Sequence, residues 1–534
     1  MKNKGVYKDN IVIVGGGSSG WMSAAMLIKT FPDSNITVIE SPNHPPIGVG
    51  ESTYDGIRLF CKYIEIDEKD FFQFTDASIK IGLAFNDFYE KDYGETFVYP
   101  FGRAFISGTR WGLDDWLIKK SIYPETPVNE FVESYFPQTH LIKYNSFCEN
   151  IDGSLEGFHP INHTALHFDA IKFGQWLKNK YCLPRNVKNI NEEIISITTN
   201  DDGIEYLILD SGQKITASLF IDCTGFKAML IDKTLNEPFI SYTDKLPNNR
   251  AWATQIPYLD KETELRTVTT CTAIEHGWCW DIPLWSRLGA GYVYSDRHVD
   301  PDTALQEFKN YLMSDKMAVP RSAEDIDKLI FKDIIMRVGI HERVWVKNVV
   351  AIGLSAGFIE PLESNGLFTV HQFLFRLIHT LSREKTSQWD ISVFNYAVKE
   401  IYDVFVEFIQ LHYALSIRTD SNYWSENFDK SYDFSNYSFS NEFSNHTIDL
   451  AKAVSFNHKS FPFGGVTWIS SGMHYFMIDK IAVSNFSMDD GEWEEYFDLL
   501  DRRRKFWDYY AKQQPSLYDY LKNKYHSDEV KEIQ

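Results

Sequence analysis

The chain has 534 residues, 44% of them hydrophobic, which is long enough for several domain-sized units and too apolar for global disorder. Its 53 Lys and Arg against 74 Asp and Glu give a formal charge of −21, which argues against a nucleic-acid or anionic-membrane partner. Aromatic residues reach 15%, and that richness points to aromatic-lined pockets. The six cysteines are scattered without a CxxC pair, so neither a zinc site nor a disulfide framework is expected, and a reducing cytoplasm is the simplest setting. The apolar run before the first glycines is too short for a signal peptide, and no transmembrane helix is expected.

Four β-branched residues, Ile11-Val12-Ile13-Val14, run into Gly15-Gly16-Gly17-Ser18-Ser19-Gly20, and Trp21–Ile28 follows at helical spacing. This pattern predicts the strand, turn and helix of a dinucleotide-binding βαβ unit. Gly15 makes the tight turn, Gly17 lets a pyrophosphate approach the backbone, and Gly20 lets the helix pack on the strand. Ser18 and Ser19 lie at the helix start, where free N–H groups favour phosphate, and Ser19 fits an N-cap. After a second β-type run, Asn35–Ile39, Glu40 stands where a carboxylate would hold a ribose hydroxyl. On these residues alone NAD and FAD fit equally well.

Gly48-Val49-Gly50-Glu51-Ser52-Thr53 offers a second glycine loop that could lie along the same cofactor. Residues 54–90 read as mainly helical, with Ile57, Phe60, Cys61 and Ile64 on one face. Residues 93–113, rich in Gly and aromatics, read as a loop-strand wall, and 127–185 as short helices with loops. Residues 187–222 alternate as hairpins around Asp201-Asp202-Gly203 and Asp210-Ser211-Gly212, and the last strand closes on Asp222-Cys223-Thr224-Gly225. Such a strand end lies beneath the cofactor in two-dinucleotide-type flavoproteins. Further strands are expected over 250–300. A second βα junction spans Val349–Gly357 and Phe358–Gly366, followed by helices over about 367–384 and 391–416. The polar, Phe-rich stretch 424–446 reads as a loop or lid, and 490–530 as a helical, aromatic tail on which a second copy could pack.

The expected fold class is therefore α/β, a flavin monooxygenase-like FAD-binding domain of Rossmann type with a mixed, largely helical substrate domain. The FAD core would be discontinuous, over 1–90, 187–230 and 340–380, with 91–186 and 231–339 inserted as a substrate and sheet region and 381–534 as a C-terminal helical region. Asp222, Gly225, Leu354 and Leu367 join Gly15, Gly17, Ser18, Ser19, Gly20, Glu40, Gly50, Glu51 and Ser52 as candidate cofactor contacts.

Four motifs then agree in order. Gly277-Trp278-Cys279-Trp280-Asp281-Ile282-Pro283 resembles the GWxWxIP element of flavin-dependent halogenases, and Phe358–Gly366 their FxxPxxSxG element. Gly48–Thr53 resembles their GxGE(A/S)T loop, and Ser78-Ile79-Lys80-Ile81-Gly82 puts a lysine where these enzymes keep a catalytic one. The chain resembles the tryptophan halogenase family over about 10–425. That resemblance implies a two-component enzyme. Reduced FAD from a separate flavin reductase, with O2, would oxidise a halide to hypohalous acid. The acid would reach a lysine and halogenate an aromatic substrate there.

Carried over residue by residue, the resemblance makes Lys80 and Glu363 catalytic. Lys80 would hold hypohalous acid by a hydrogen bond or as a haloamine, and Glu363 would polarise it and accept the ring proton. Asn365-Gly366 falls in the halide segment, and Asn365 departs from the Thr or Ser common there; bromide or iodide is expected ahead of chloride. Tyr99 and Phe101 fall in the substrate segment, Tyr99 replacing the His of tryptophan-specific members, which weakens free tryptophan as the substrate. Trp278 and Trp280, one residue apart on a strand, should face the same side. His371, His379 and His412 make no HExxH-like pattern and read as helical core residues.

Two other readings share these features: a flavin monooxygenase that hydroxylates its substrate, and a non-catalytic flavin-binding sensor. Lys80, Trp278 and Glu363 together favour the halogenase. No second strand-linked GxGxxG is visible for NAD(P)H, which is why the reductant is expected as free reduced flavin.

Overall fold

In the computed structural model the strand Asn10–Val14 is buried from Ile11 onward and lies inside a six-stranded sheet. Residues 7–44, 51–102, 104–105, 119–120, 122–430, 465–474 and 490–527 are described. Gly50, most of the 424–446 stretch and part of the 93–113 wall lie outside them. The chain divides into two units: 1–77, 168–249 and 335–403 make one, and 78–167, 250–334 and 404–534 the other.

The six-stranded sheet belongs to the first unit. Its order is Trp345–Val346, Val349–Ala351, Leu219–Asp222, Asn10–Val14, Asn35–Glu40 and Lys188–Asn191. All neighbours are parallel except Trp345–Val346. Parallel strands buried on both faces need near-continuous apolar runs, which Ile11–Val14 and Leu219–Ile221 supply and Ile36–Ile39 supplies with Thr37 as its one polar residue. The helix Ser18–Thr30 buries Gly20–Ile28 against this core. It can do so only because residue 20 has no side chain: a Cβ there would stand 1.9 Å from the Gly15 carbonyl oxygen. The reading of 187–222 as hairpins holds for Ile194–Asn200, Gly203–Leu209 and Lys214–Ile215, an antiparallel three-stranded sheet.

The second unit is built on seven strands: Lys332–Ile335, Arg250–Ile256, Leu288–Tyr294, Gly277–Pro283, Val268–Ile274, Gly82–Asn86 and Phe97–Pro100. Register sorts its side chains. Tyr99 opposes Leu83, Phe85 lies beside Cys271, and Cys271 opposes Trp280, so these share one face. Trp278, two residues from Trp280, is on that face too, as the spacing predicted, with ring centroids 6.1 Å apart. Asp281 is on the other, where the Tyr311 hydroxyl donates to it at 2.8 Å. Burial raises its carboxyl to about 7.

One expectation needs correction. Helices end at Thr75, and 78–86 is strand, Ser78–Lys80 then Gly82–Asn86. Ile79, Ile81, Leu83 and Phe85 are all buried at alternating positions, a period of two that outweighs the helical spacing upstream. The later helices run Gly366–Leu381 and Gln388–Ala414, and the tail gives Asp490–Lys512 and Leu517–Tyr525. Among the described residues no helix is long and apolar enough to cross a membrane.

Gly20→Ala is expected to cost about 1–3 kcal/mol, because the new methyl must push a carbonyl out of the turn. Urea unfolding of the free protein checks this. An unchanged midpoint contradicts the close approach.

Candidate active site

Two of the first unit's uncapped helix starts, at Ser18 and at Gly366, bear on the site. The helix Ser18–Thr30 begins after Gly17, which is extended and offers no side chain. Ser19 is therefore not the N-cap; it sits inside the first turn, and its carbonyl accepts from Ser23 at 2.7 Å. Ser18 donates to the Ala170 carbonyl at 2.8 Å, fixing the turn from the side. Gly15 holds φ +111°, a conformation that favours glycine, and a Cβ there would strike the Cys223 carbonyl oxygen at 2.2 Å. Backbone N–H groups of this turn and first helical turn thus remain for an anion.

Glu40 reaches back over this turn. Its Oε1 accepts from Lys178 at 2.7 Å and Asn189 at 2.6 Å. Its Oε2 lies 2.5 Å from where a Gly16 Cβ would stand, so Gly16 too must lack a side chain. Asp222 is committed to its own loop: it accepts from Thr224 N and Oγ1 and from the N–H groups of Leu230 and Ile231. Gly225 has φ +68°, and no atom of the described residues lies within 4 Å of where its Cβ would be. The turn Gly353–Ser355, which carries partly buried Leu354, closes against the first helix, with the Ser19 Oγ 2.3 Å from a hypothetical Gly353 Cβ.

The second helix start is Gly366. Asn365 is its N-cap by position, but its side chain turns away and donates to the Glu360 carbonyl at 3.0 Å. That bond ties the 360–365 loop into a ring and leaves the first-turn N–H groups uncapped. Among the described residues, a Cβ at Gly366 would meet only the Glu51 Oε2, at 3.9 Å. Leu367 is buried beside it. Ser364 holds φ +58°, a strained position for serine, and its hydroxyl lies 2.9 Å from that of Ser52. Glu363, just before it, is 1% exposed. Glu51 is partly buried. Lost hydration, with Asp169 nearby, raises its carboxyl to about 7.

In the second unit Lys80 ends the strand Ser78–Lys80 and is fully buried. Its ammonium stands 4.8 Å over the Phe101 ring. A desolvated cation–π contact of this kind is worth about 2 kcal/mol. The backbone beyond it is clamped: Ile81 N–H donates to Thr267 at 2.7 Å, and Phe101 N–H to Ile81 at 2.8 Å. Tyr99 is fully buried against Trp468, centroids 4.7 Å apart. Trp280 packs so closely on residue 291 that only glycine fits there, a Cβ meeting the indole at 2.1 Å. His412 stacks near Phe85 and bonds the Phe408 carbonyl, which is a core role.

This chain matches the family model described as tryptophan halogenase over residues 10–470. A 7-chloro-L-tryptophan 6-halogenase, KtzR, of Kutzneria sp. (strain 744) is 33% identical over 78% of this chain and 81% of its own length. Among solved structures, VirX1 superposes with a TM-score of 0.87 at 33% identity, covering 98% of this chain and 100% of that one. A tryptophan 6-halogenase of Streptomyces toxytricini gives 0.82 at 29% identity, covering 96% and 99%.

The chain belongs to the tryptophan halogenase family.

As a member of that family it is a flavin-dependent oxidoreductase that uses FADH2, O2 and halide. The first unit fits a dinucleotide of this size. It offers an uncapped helix start behind a glycine turn, a carboxylate oxygen laid over Gly16, and room among the described residues at Gly225 and Gly366.

Lys178 and His167 were missed from sequence. Lys178 holds Glu40 from a π-helical turn, Leu177–Cys182, which no residue pattern announces. His167 shares the Lys80 face of a strand pair whose only signal is the alternation Ala165, Leu166, His167, Phe168.

Glu51 sets a pH dependence. Its raised value means the folded chain holds that proton more tightly than the unfolded one, whose carboxyl ionises near 4.5. The stabilisation is complete below about 4.5 and fades as pH climbs toward about 7. Glu51→Gln should keep it, so the unfolding temperature of the variant should gain on wild type from about pH 5 to about pH 8. A pH-independent difference contradicts the raised carboxyl.

Proposed function

We propose that this protein is a two-component halogenase that transfers halogen from hypohalous acid to an aromatic ring, with Lys80 and Glu363 as its catalytic residues and a separate flavin reductase as its source of reduced FAD. The observation that carries this reading is Lys80 itself. It is a fully buried ammonium over an aromatic ring, in a unit whose sheet faces Trp278 and Trp280 to one side.

Reduced FAD, when bound, supplies with O2 the oxidation of halide to hypohalous acid. The uncapped backbone at Gly366 offers N–H groups to the halide without placing a full positive charge beside it. Glu51, its carboxyl raised to about 7, is mostly protonated in mildly acidic solution and there spares that anion a neighbouring negative charge.

Lys80 then donates an N–H to the oxygen of hypohalous acid, which weakens the oxygen–halogen bond. The ring carbon bonds to halogen as the oxygen–halogen bond breaks, the departing hydroxide takes a proton from the Lys80 ammonium and leaves as water, the ring proton passes to the Glu363 carboxylate, and exchange with solvent restores both groups. The balance is hypohalous acid plus arene giving haloarene plus water. Burial makes each of these contacts stronger than it would be in water. Phe101 and Tyr99 form the aromatic surroundings from which an electron-rich indole- or phenol-like substrate is selected. KtzR and the Streptomyces toxytricini enzyme are named for tryptophan substrates; Tyr99 at its position favours a different arene here.

Lys80→Ala should abolish halogenated product while FAD binding survives. Glu363→Gln should lower kcat by about 100-fold or more with KM little changed, as expected for loss of a proton acceptor. A fully active Lys80→Ala enzyme refutes the assignment. In a three-way competition, bromide and iodide should be incorporated ahead of chloride; a clear chloride preference overturns that expectation.

A further inference from the structure

Lys80 rides on a strand of three residues, Ser78–Lys80. Among the described residues it pairs with Ala165–Phe168, with Ser78 opposite His167, Ile79 opposite Leu166 and Lys80 opposite Ala165. Opposed residues share a face, so Ser78, Lys80, Ala165 and His167 form one cluster. Small Ala165 directly across from Lys80 leaves His167 as its diagonal neighbour. Ser78, Lys80 and His167 are all fully buried.

The His167 ring is held at both nitrogens. Nε2 lies 2.8 Å from the Thr269 hydroxyl, and Nδ1 3.4 Å from the Ser78 hydroxyl. Ser78 spends its own proton on the Pro283 carbonyl, at 2.5 Å. Its oxygen is therefore the acceptor of the pair, which assigns the ring proton to Nδ1 and leaves Nε2 to accept from Thr269. Burial pushes the imidazole well below its ordinary range, and the Lys80 charge beside it acts in the same direction. The ring is thus neutral, and no second positive charge competes with Lys80.

The partners of the ring matter as much as its charge. Pro283 ends the strand that carries Trp278 and Trp280. Thr269 lies on the strand between that one and Gly82–Asn86. The imidazole therefore links the short strand bearing Lys80 to the strand of Thr269, and the Ser78 hydroxyl links it to the strand that carries Trp278 and Trp280 and ends at Pro283.

We propose that His167 is a positioning residue: a neutral cross-brace that, together with Ser78, fixes Lys80 relative to the strand of Thr269 and the strand carrying Trp278 and Trp280, so that hypohalous acid is captured rather than lost. This rests on the reading that Lys80 handles hypohalous acid. Misplacing a reacting group by about 1 Å costs about 100-fold in a positioned step. The formation of hypohalous acid does not involve the cluster and should continue.

The experiment measures partition. Wild type and variants turn over with reduced FAD, O2, bromide and an indole, with a β-diketone scavenger added to trap free hypobromous acid. His167→Phe should leave total oxidised bromide unchanged, lower bromoindole about 10-fold to 100-fold, and raise trapped bromine to match. His167→Gln, which retains donor and acceptor atoms, should recover part of the loss. Thr269→Val should shift the partition in the same direction and Thr269→Ser should not, which keeps the test available if His167→Phe does not fold. Lys80→Ala is run alongside. A fully active Lys80→Ala enzyme removes the reading on which the proposal rests. If Lys80→Ala is inactive while the His167 and Thr269 variants partition like wild type, the positioning role alone is wrong.

Discussion

Helix starts that no side chain of the described residues caps are the constraint on which the first unit depends. An α-helix begins with four donors that nothing in the helix can satisfy, and most helices spend a Ser, Thr or Asp on them. The helices starting at Ser18 and Gly366 do not. Gly17 has no side chain to offer, and Asn365 spends its amide on the Glu360 carbonyl. Three glycines, at 15, 16 and 20, are then fixed by the need to keep atoms away from a turn that is already crowded by Glu40, Cys223 and its own helix. The parallel sheet holds these pieces in place, drawing its strands from segments more than 300 residues apart in sequence. Anion binding and the cost of exposed donors are thus two descriptions of the same choice.

The second unit solves a different problem, how to keep an ammonium dry. Taking a charge out of water costs several kcal/mol, and the surroundings of Lys80 offset part of that cost. The Phe101 ring offers its π-face, and His167 offers polarity without charge. The pleat of the seven-stranded sheet places Trp278, Trp280 and Tyr99 on one side and the polar Asp281 on the other. A shift of one residue in register would exchange these sets.

Much of this was legible in the sequence where signals are local. Ile11–Gly20 gave strand, turn and helix because each is encoded within ten residues, and the spacing of Trp278 and Trp280 was enough to put them on one face. Residues 78–86 were misread as helix because the spacing of Ile57, Phe60 and Ile64 was extended too far, although Ile79, Ile81, Leu83 and Phe85 alternate strictly. Ser19 looked like a cap, but the helix had already begun one residue earlier. His167 was invisible for a physical reason: its ring is placed by Ser78 and Thr269, 89 and 102 residues away, and only the fold brings them together. The asparagine at 365 was visible, but its bond back to Glu360, which decides what the helix start exposes, was not.

The central claim is that oxidising power reaches the arene as halogen and not as oxygen. The most direct measurement is mass spectrometry of products formed from a panel of indoles and phenols, with reduced FAD supplied by a reductase, in the presence and absence of bromide. The account predicts brominated products that appear only with bromide, with no product in its absence. Oxygenated products formed equally with and without bromide would contradict it and make the protein a monooxygenase.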